Sequence, residues 1–311
     1  MIDFPDSFFE GEYRDGFYVK PMMKRVWAAE METYLDIAEV CRQHQIRFFA
    51  DWGTLLGTVR HKGFVPWDDD MDIGMLRGDY MKFISIAAKA LPEGYAMLNL
   101  HTDDDFDGLL SRVVNTKEIN LSEGHLERFH GCPYAVGIDV FPIDYIPRDE
   151  KEEEVQKQLI KIVSTAENML VQEGKDSEEL QQLLEQIQQL CGVTFSEDKP
   201  LKRQLYGLAE QLCSLYSDED ADCVTSMPDL VNGWDYRPSK SCYAKHIMMP
   251  FENIEVPVPV GYDEVLKVKY GDYMTPVNCL GGHEYPFYAS QEKILREYLQ
   301  REGISGERFD L

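Results

Sequence analysis

Asp68, Asp70 and Asp72 stand at alternate positions in the run Trp67-Asp-Asp-Asp-Met-Asp-Ile-Gly74. In an extended chain successive side chains point to opposite sides. These three therefore project to one face, and Asp69, Met71 and Ile73 to the other. Three carboxylates on one face repel unless a cation neutralises them, and hard oxygen ligands suit Mg²⁺ or Mn²⁺. The plain alternative is a solvated acidic loop, against which Met71, Ile73 and Met75 alternate as a half-buried strand demands. Upstream, Gly53-Thr54 lies between a predicted strand and a predicted helix. A glycine there lets backbone approach a ligand closely, and the free amides at a helix start favour phosphate. Glycine turns without any ligand are also common.

The longer run from Gly53 to Ile73, Gly-Thr-Leu-Leu-Gly-Thr-Val-Arg-His-Lys-Gly-Phe-Val-Pro-Trp-Asp-Asp-Asp-Met-Asp-Ile, resembles the signature of the LicD family, within the nucleotidyltransferase superfamily. Gly137-Ile-Asp-Val-Phe-Pro-Ile-Asp144 is similar to that family's second block. Residues 262–275, ending in Tyr-Gly-Asp-Tyr-Met-Thr, are similar to its C-terminal block. The likeness touches both ends of residues 46–276 and leaves 148–238 unmatched.

The resemblance implies an enzyme that passes phosphocholine, or a related phospho-alcohol, from CDP-choline or a similar CDP-alcohol to a hydroxyl of a glycan. That glycan would be a cell-surface polysaccharide such as a teichoic acid, lipid-linked or free. Fukutin-type ribitol-phosphate transferases resemble it as cousins. By the same analogy Asp70 and Asp72 hold the metal, Mg²⁺ or Mn²⁺, with Asp68 nearby and Asp139 as the third carboxylate. Asp139 falls on an apolar stretch, where an unpaired acid is costly, which favours a metal or proton role. Arg60 and Lys62, flanking His61, are candidates to pair with donor phosphates, and Arg112 is another. Solvated loop cations are the bland alternative. The acidic run does not distinguish loss of CMP from loss of pyrophosphate. Nucleotidyl transfer to a sugar or small molecule therefore stays open, as does a non-catalytic nucleotide-binding module.

The resemblance, together with the apolar patterning, implies an α/β fold: a nucleotidyltransferase-like mixed sheet flanked by helices, with a helical insertion. Apolar spacing predicts strands at 46–50, 68–76, 95–100, 109–115, 136–143 and 256–260, the fifth ended by Pro142 and Pro147. Helices are expected at 21–45, opened by Pro21, and at 54–60 and 77–90, the last stopped by Pro92 and Gly94. From Arg148 the composition turns to Glu, Gln, Lys and Leu, which predicts helices at 150–172, 177–191 and 200–216, then a loop over 218–238. Helices at 262–270 and 286–301 complete the chain. The expected organisation is a catalytic core over 1–147, a helical insertion over 148–238, and a C-terminal part over 239–311 that packs back on the core.

Of the 311 residues 44% are hydrophobic, enough for a sizeable core, and the formal charge is −25. That charge opposes general binding to nucleic acid or to an anionic membrane surface. No run approaches the roughly 18 apolar residues of a membrane span. The acidic start lacks the basic and apolar regions of a secretory signal. Seven scattered cysteines (41, 132, 191, 213, 223, 242 and 279) without a C-x-x-C pair fit a reducing cytoplasm. Asp103, Asp105 and Asp107 imitate the start of a calcium loop, but Val114 stands where its glutamate is required, so a surface turn is expected. His125, His130 and Cys132 lack the pairing of a zinc site. Aromatics gather late in the chain (Trp234, Tyr236, Tyr243, Tyr270, Tyr273, Tyr285). They are ordinary packing or, alternatively, walls for a quaternary ammonium.

Overall fold

The structure, a computed structural model, describes residues 1–103, 106, 108–175, 177–277, 285–309 and 311. The chain begins with a hairpin, β1 (Glu12–Arg14) and β2 (Phe17–Val19), turned at Asp15-Gly16. Pro21 takes the first position of α1 (Pro21–Gln43), where its missing N–H leaves no bond unmade. The long apolar stripe of α1 lies in the main core, with Val26, Trp27, Met31 and Ile37 fully buried.

Next come β3 (Phe49–Ala50), α2 (Trp52–Arg60), β4 (Met71–Leu76) and α3 (Arg77–Ala90). They are followed by β5 (Ala96–Leu98), β6 (Ser111–Val114), α4 (Glu123–Arg128) and β7 (Gly137–Pro147). The Gln- and Glu-rich segment forms α5 (Glu150–Glu173), α6 (Glu178–Cys191) and α7 (Leu201–Cys213). The helix starts there are capped as their sequences suggest: Asp149 accepts from the amides of Lys151 and Glu152, and Ser177 from that of Leu180. The segment continues as β8 (Ala221–Ser226) and α8 (Met227–Val231). A second hairpin, β9 (His246–Phe251) and β10 (Ile254–Pro259), precedes α9 (Tyr262–Tyr270) and α10 (Ala289–Glu302).

The main sheet runs in the order β3-β4-β7-β6-β5, with β8 also paired to β7. It is mixed: β4 and β7 are parallel, and the other pairings are antiparallel. The α/β class and the mixed, helix-flanked sheet thus agree with the sequence reading. β7 is the axis of the sheet. One edge pairs with β4 from Ile138 to Ile143, while the other pairs with β6 over its first half and with β8 over its second. Pro142 falls between those two stretches, where that edge makes no pairing. The strand therefore passes through Pro142 instead of ending there.

Two apolar clusters form. One is the large core beneath the sheet and α1; the other is built mainly from α5, α6, α7 and α8. The segment predicted as a loop over 218–238 is in fact β8 followed by α8. β1, β2 and β9 were also unread, whereas β10 answers to the strand expected over 256–260. The predicted strand over 68–76 begins only at Met71, so Asp68 and Asp70 lie in the loop before it. Of the calcium-like turn, Asp105 and Asp107 lie outside the described residues, as does Cys279.

Candidate active site

The site is built where α2 and β4 meet. Asp51 caps α2: its Oδ1 accepts from the Trp52 amide at 2.8 Å, and its own amide donates to the Asp72 carbonyl at 3.1 Å. At Gly53 a Cβ would stand 2.1 Å from Asp68 Oδ2, so the helix start presses on that carboxylate as only glycine allows. Thr54 is buried, and its hydroxyl accepts the Asp72 amide at 2.7 Å. It fixes the backbone of the acidic strand and does not line the cavity. The preceding loop is pinned by the Trp27 indole, which donates to the Asp68 carbonyl at 3.2 Å, and by Asp69, which accepts the Phe287 amide at 2.6 Å.

Asp72 on β4 stands directly opposite Asp139 on parallel β7. Both are nearly buried, at 7% and 8% exposure, and both line one cavity of about 790 Å³ together with Gly53, Arg60, Asp68 and Asp70. Burial raises Asp72 well above the ordinary carboxylate range, reinforced first by Asp70 and then by Asp139. Asp68 is raised by burial and by Asp70 in the same way. Oxygens of Asp68, Asp69 and Asp70 lie within 4.8 Å of one another. This is a surplus of negative charge on hard oxygen donors, which a divalent cation would offset, so the residues present fit such an ion. Asp144, five residues beyond Asp139, faces the other side of the sheet and pairs with Arg77.

The predicted cations separate. Arg112 sits across the β6–β7 ladder from Asp139 and grips it at two points. Arg60 lines the cavity and donates to the Tyr273 carbonyl at 2.8 Å. Lys62 is exposed, with a left-handed backbone (φ +58°), and its carbonyl accepts the Glu252 amide. It is not among the residues that line the cavity. His125 is buried, while His130 pairs with Glu32; no described zinc cluster forms around Cys132.

Other parts of the chain close the cavity. α9 and the turn after it bring Tyr270 and Tyr273, α7 brings Tyr206, and the chain after α8 brings Trp234. Of the late aromatics, Tyr243 packs on Phe49 and Tyr285 on Phe17 instead. Sequence reasoning missed Trp52 and Phe141, both on the cavity wall. It also missed Glu30, fully buried on α1, whose two carboxylate oxygens make no hydrogen bond and whose pKa burial and then Asp70 raise well above normal. A glutamate four residues after Val26 on the core stripe of α1 was the available signal.

A helix start held against a carboxylate loop, with acidic residues paired across two parallel strands of a mixed sheet, defines a protein of the nucleotidyltransferase class. Residues 45–159 match the family model described as LicD/FKTN/FKRP, nucleotidyltransferase domain. It is 25% identical over 247 residues to the lipopolysaccharide cholinephosphotransferase LicD of Haemophilus influenzae, covering 76% of this chain and 84% of that protein. Shorter matches, 40% identical over 60 residues and 37% over 62, link it to uncharacterized proteins of Rickettsia typhi and Rickettsia prowazekii. They cover 19% and 23% of those proteins. Among the described residues no helix is long and apolar enough to cross a membrane.

Proposed function

We propose that this chain transfers phosphocholine, or a related phospho-alcohol, from a CDP-linked donor to a hydroxyl of a glycan. The observation that carries the reading is the register of Asp72 against Asp139 on the cavity floor, joined to the activity named for the Haemophilus relative, which aligns over most of both chains. The acceptor oxygen forms its bond to the phosphorus that carries the alcohol, the bond from that phosphorus to CMP breaks, and the hydroxyl proton passes to a carboxylate.

Asp70 and Asp72, with Asp68 beside them, are the residues that would hold Mg²⁺ or Mn²⁺. Such an ion, when bound, neutralises phosphate charge and eases deprotonation of the hydroxyl. Asp139 is the third carboxylate and lies where it can orient the acceptor and take its proton. Arg112 holds Asp139 in place, and Arg60 presents a cation to the donor phosphates. Gly53 lets the start of α2 come close. Residues 148–238 are read as an insertion on the core of 1–147. Through Tyr206 and Trp234 it supplies one wall of the cavity, and 239–311 supplies another.

Incubation with Mg²⁺, a glycan acceptor and either CDP-choline or nucleoside triphosphates tests this reading. Release of CMP from CDP-choline supports it. Release of pyrophosphate from a triphosphate would make the chain a true nucleotidyltransferase, and release of neither would leave a binding module.

A further inference from the structure

The acids occupy only part of the cavity, and beside them stands an aromatic corner with unusual features. Trp52, the first residue of α2, has a left-handed backbone (φ +44°), rare for a bulky side chain. Its buried indole N–H has no hydrogen-bond partner, so no such bond orients the ring. Contacts on the ring orient it instead. Phe141 lies 5.3 Å away between centroids, tilted by 38°. The Lys269 ammonium stands 2.9 Å over the indole centroid, and Asp229 neutralises it at 3.2 Å. Trp52 and Phe141 line the cavity, whereas Lys269 does not. The lysine therefore backs the indole and leaves the cavity side open to a ligand.

The placement along β7 matters as much as the chemistry. Phe141 is two residues beyond Asp139, so it shares that residue's face of the sheet and lies roughly 6.6 Å farther along the strand. A phosphorus held at Asp72 and Asp139 would then have an aromatic corner one pleat away. That is the reach of the P–O–C–C–N chain of a phosphocholine. Tyr270, next to Lys269 at the end of α9, lines the same cavity.

We propose that Trp52, Phe141 and Tyr270 form the subsite for the quaternary ammonium of the transferred group. The proposal rests on the phosphocholine reading above. A trimethylated ammonium has no N–H to donate, so carboxylates cannot recognise it by hydrogen bonding. Its diffuse charge is instead attracted to aromatic faces. A primary ammonium such as that of ethanolamine has three N–H donors to satisfy, and of these side chains only the Tyr270 hydroxyl can accept one. The corner therefore selects choline over ethanolamine.

The test compares CDP-choline with CDP-ethanolamine in the wild-type protein and in Trp52→Leu, Phe141→Leu and Trp52→Phe. Both leucine variants should raise KM for CDP-choline on the order of tenfold and change KM for CDP-ethanolamine much less. Trp52→Phe should restore most of the preference. A second readout needs no turnover: titration calorimetry should show saturable binding of tetramethylammonium chloride to the wild type, weaker binding to Phe141→Leu, and none to Trp52→Leu. Equal rises for both donors would show that the rings hold the shared cytidine or merely shape the cavity, and would overturn the proposal. No change for either donor would do the same. If no CDP-linked donor releases CMP, the transferase reading fails by itself; tetramethylammonium binding that depends on Trp52 then still supports the subsite, and absence of binding overturns it.

Discussion

Arg112 and Asp139 face each other across neighbouring antiparallel strands and make a two-point ion pair, Nε to Oδ1 at 2.5 Å and Nη2 to Oδ2 at 2.7 Å. Asp139 thus meets a fixed cation on one side and Asp72 on the other. Its carboxylate is held at one angle while its neighbour's negative charge stays uncompensated.

Replacing Asp139 by Ala should therefore cut kcat by about two to four orders of magnitude, the range typical for losing a proton-handling group. Donor affinity should change little, because Asp70 and Asp72 remain. Arg112→Lys should not restore an Arg112→Ala defect, since a lysine cannot reproduce the two-point grip. Steady-state kinetics with separate donor-binding isotherms check both points. Unchanged kcat with weakened binding in Asp139→Ala would remove it from the chemistry.

Asp70→Asn and Asp72→Asn should each abolish turnover while the melting temperature holds or rises. Each swap removes a ligand charge and also relieves repulsion in a buried acidic group. Chelation by EDTA should likewise stop turnover and lower the melting temperature only slightly, because Asp72 sits in an already packed sheet, Asp70 lies in a loop pinned by Trp27 and Phe287, and neither is the fold's only staple. Thermal melts alongside assays, with Mg²⁺ added back, decide it; full activity after exhaustive chelation would contradict the metal assignment.

How much of this was readable in advance follows from whether the signal was local. Helix 77–90 matched residue for residue, because its apolar spacing and Pro92 are both local features. The aspartates were found from their spacing, yet the pleat invoked for them holds only from Met71 onward; Asp68 and Asp70 reach the cavity from a loop pinned by Trp27 and Phe287. β8 was missed because Ala221–Ser226 mixes apolar and polar residues without alternation, and becomes a strand only by pairing with β7. The partnership of Arg112 with Asp139 spans 27 residues and depends on register, which spacing along one strand does not reveal. Trp52 escaped notice because nothing local marks a tryptophan as bordered by Phe141 and Lys269.

One pH effect follows from the helical segment. His101 pairs with Glu210 at 2.9 Å; that hydrogen bond raises the imidazole above its usual 6.5. Glu210 is lowered below 4.5: the bond from His101 and the charge of Arg77 outweigh its burial. A raised histidine contributes stability that is fully present below about pH 6.5 and is lost as pH rises through the raised value. The carboxylate's contribution is present above about pH 4.5 and is lost as pH falls through its lowered value. The wild type should therefore melt above His101→Asn between those limits, and the two curves should converge in mildly alkaline buffer. The difference should be small, because the imidazole is about half exposed. A gap that widens with rising pH would refute the pairing.

Arg77 carries the last prediction. It opens α3, is 8% exposed, and joins three elements: both Asp144 oxygens accept from it at 2.7 Å, and Glu210 of α7 accepts at 2.8 Å. Asp144 is fully buried on the face of β7 opposite the cavity. Removing the guanidinium leaves that carboxylate without a counter-charge, and breaking a buried pair in this way typically costs about 3–5 kcal/mol. Arg77→Ala should therefore lower stability by that order. It should also loosen α7 from the sheet, and α7 carries Tyr206 to the cavity wall. The double variant Arg77→Met with Asp144→Leu should recover part of the stability, because apolar side chains of similar size need no counter-ion, while Glu210 keeps only His101 as its partner among the described residues. Denaturant unfolding of the two variants, with KM measured on each, separates the effects. If Arg77→Ala melts like the wild type, the cluster does not join the helical segment to the sheet. If the double variant regains stability but keeps a raised KM, the guanidinium is needed to hold the Tyr206 wall in position.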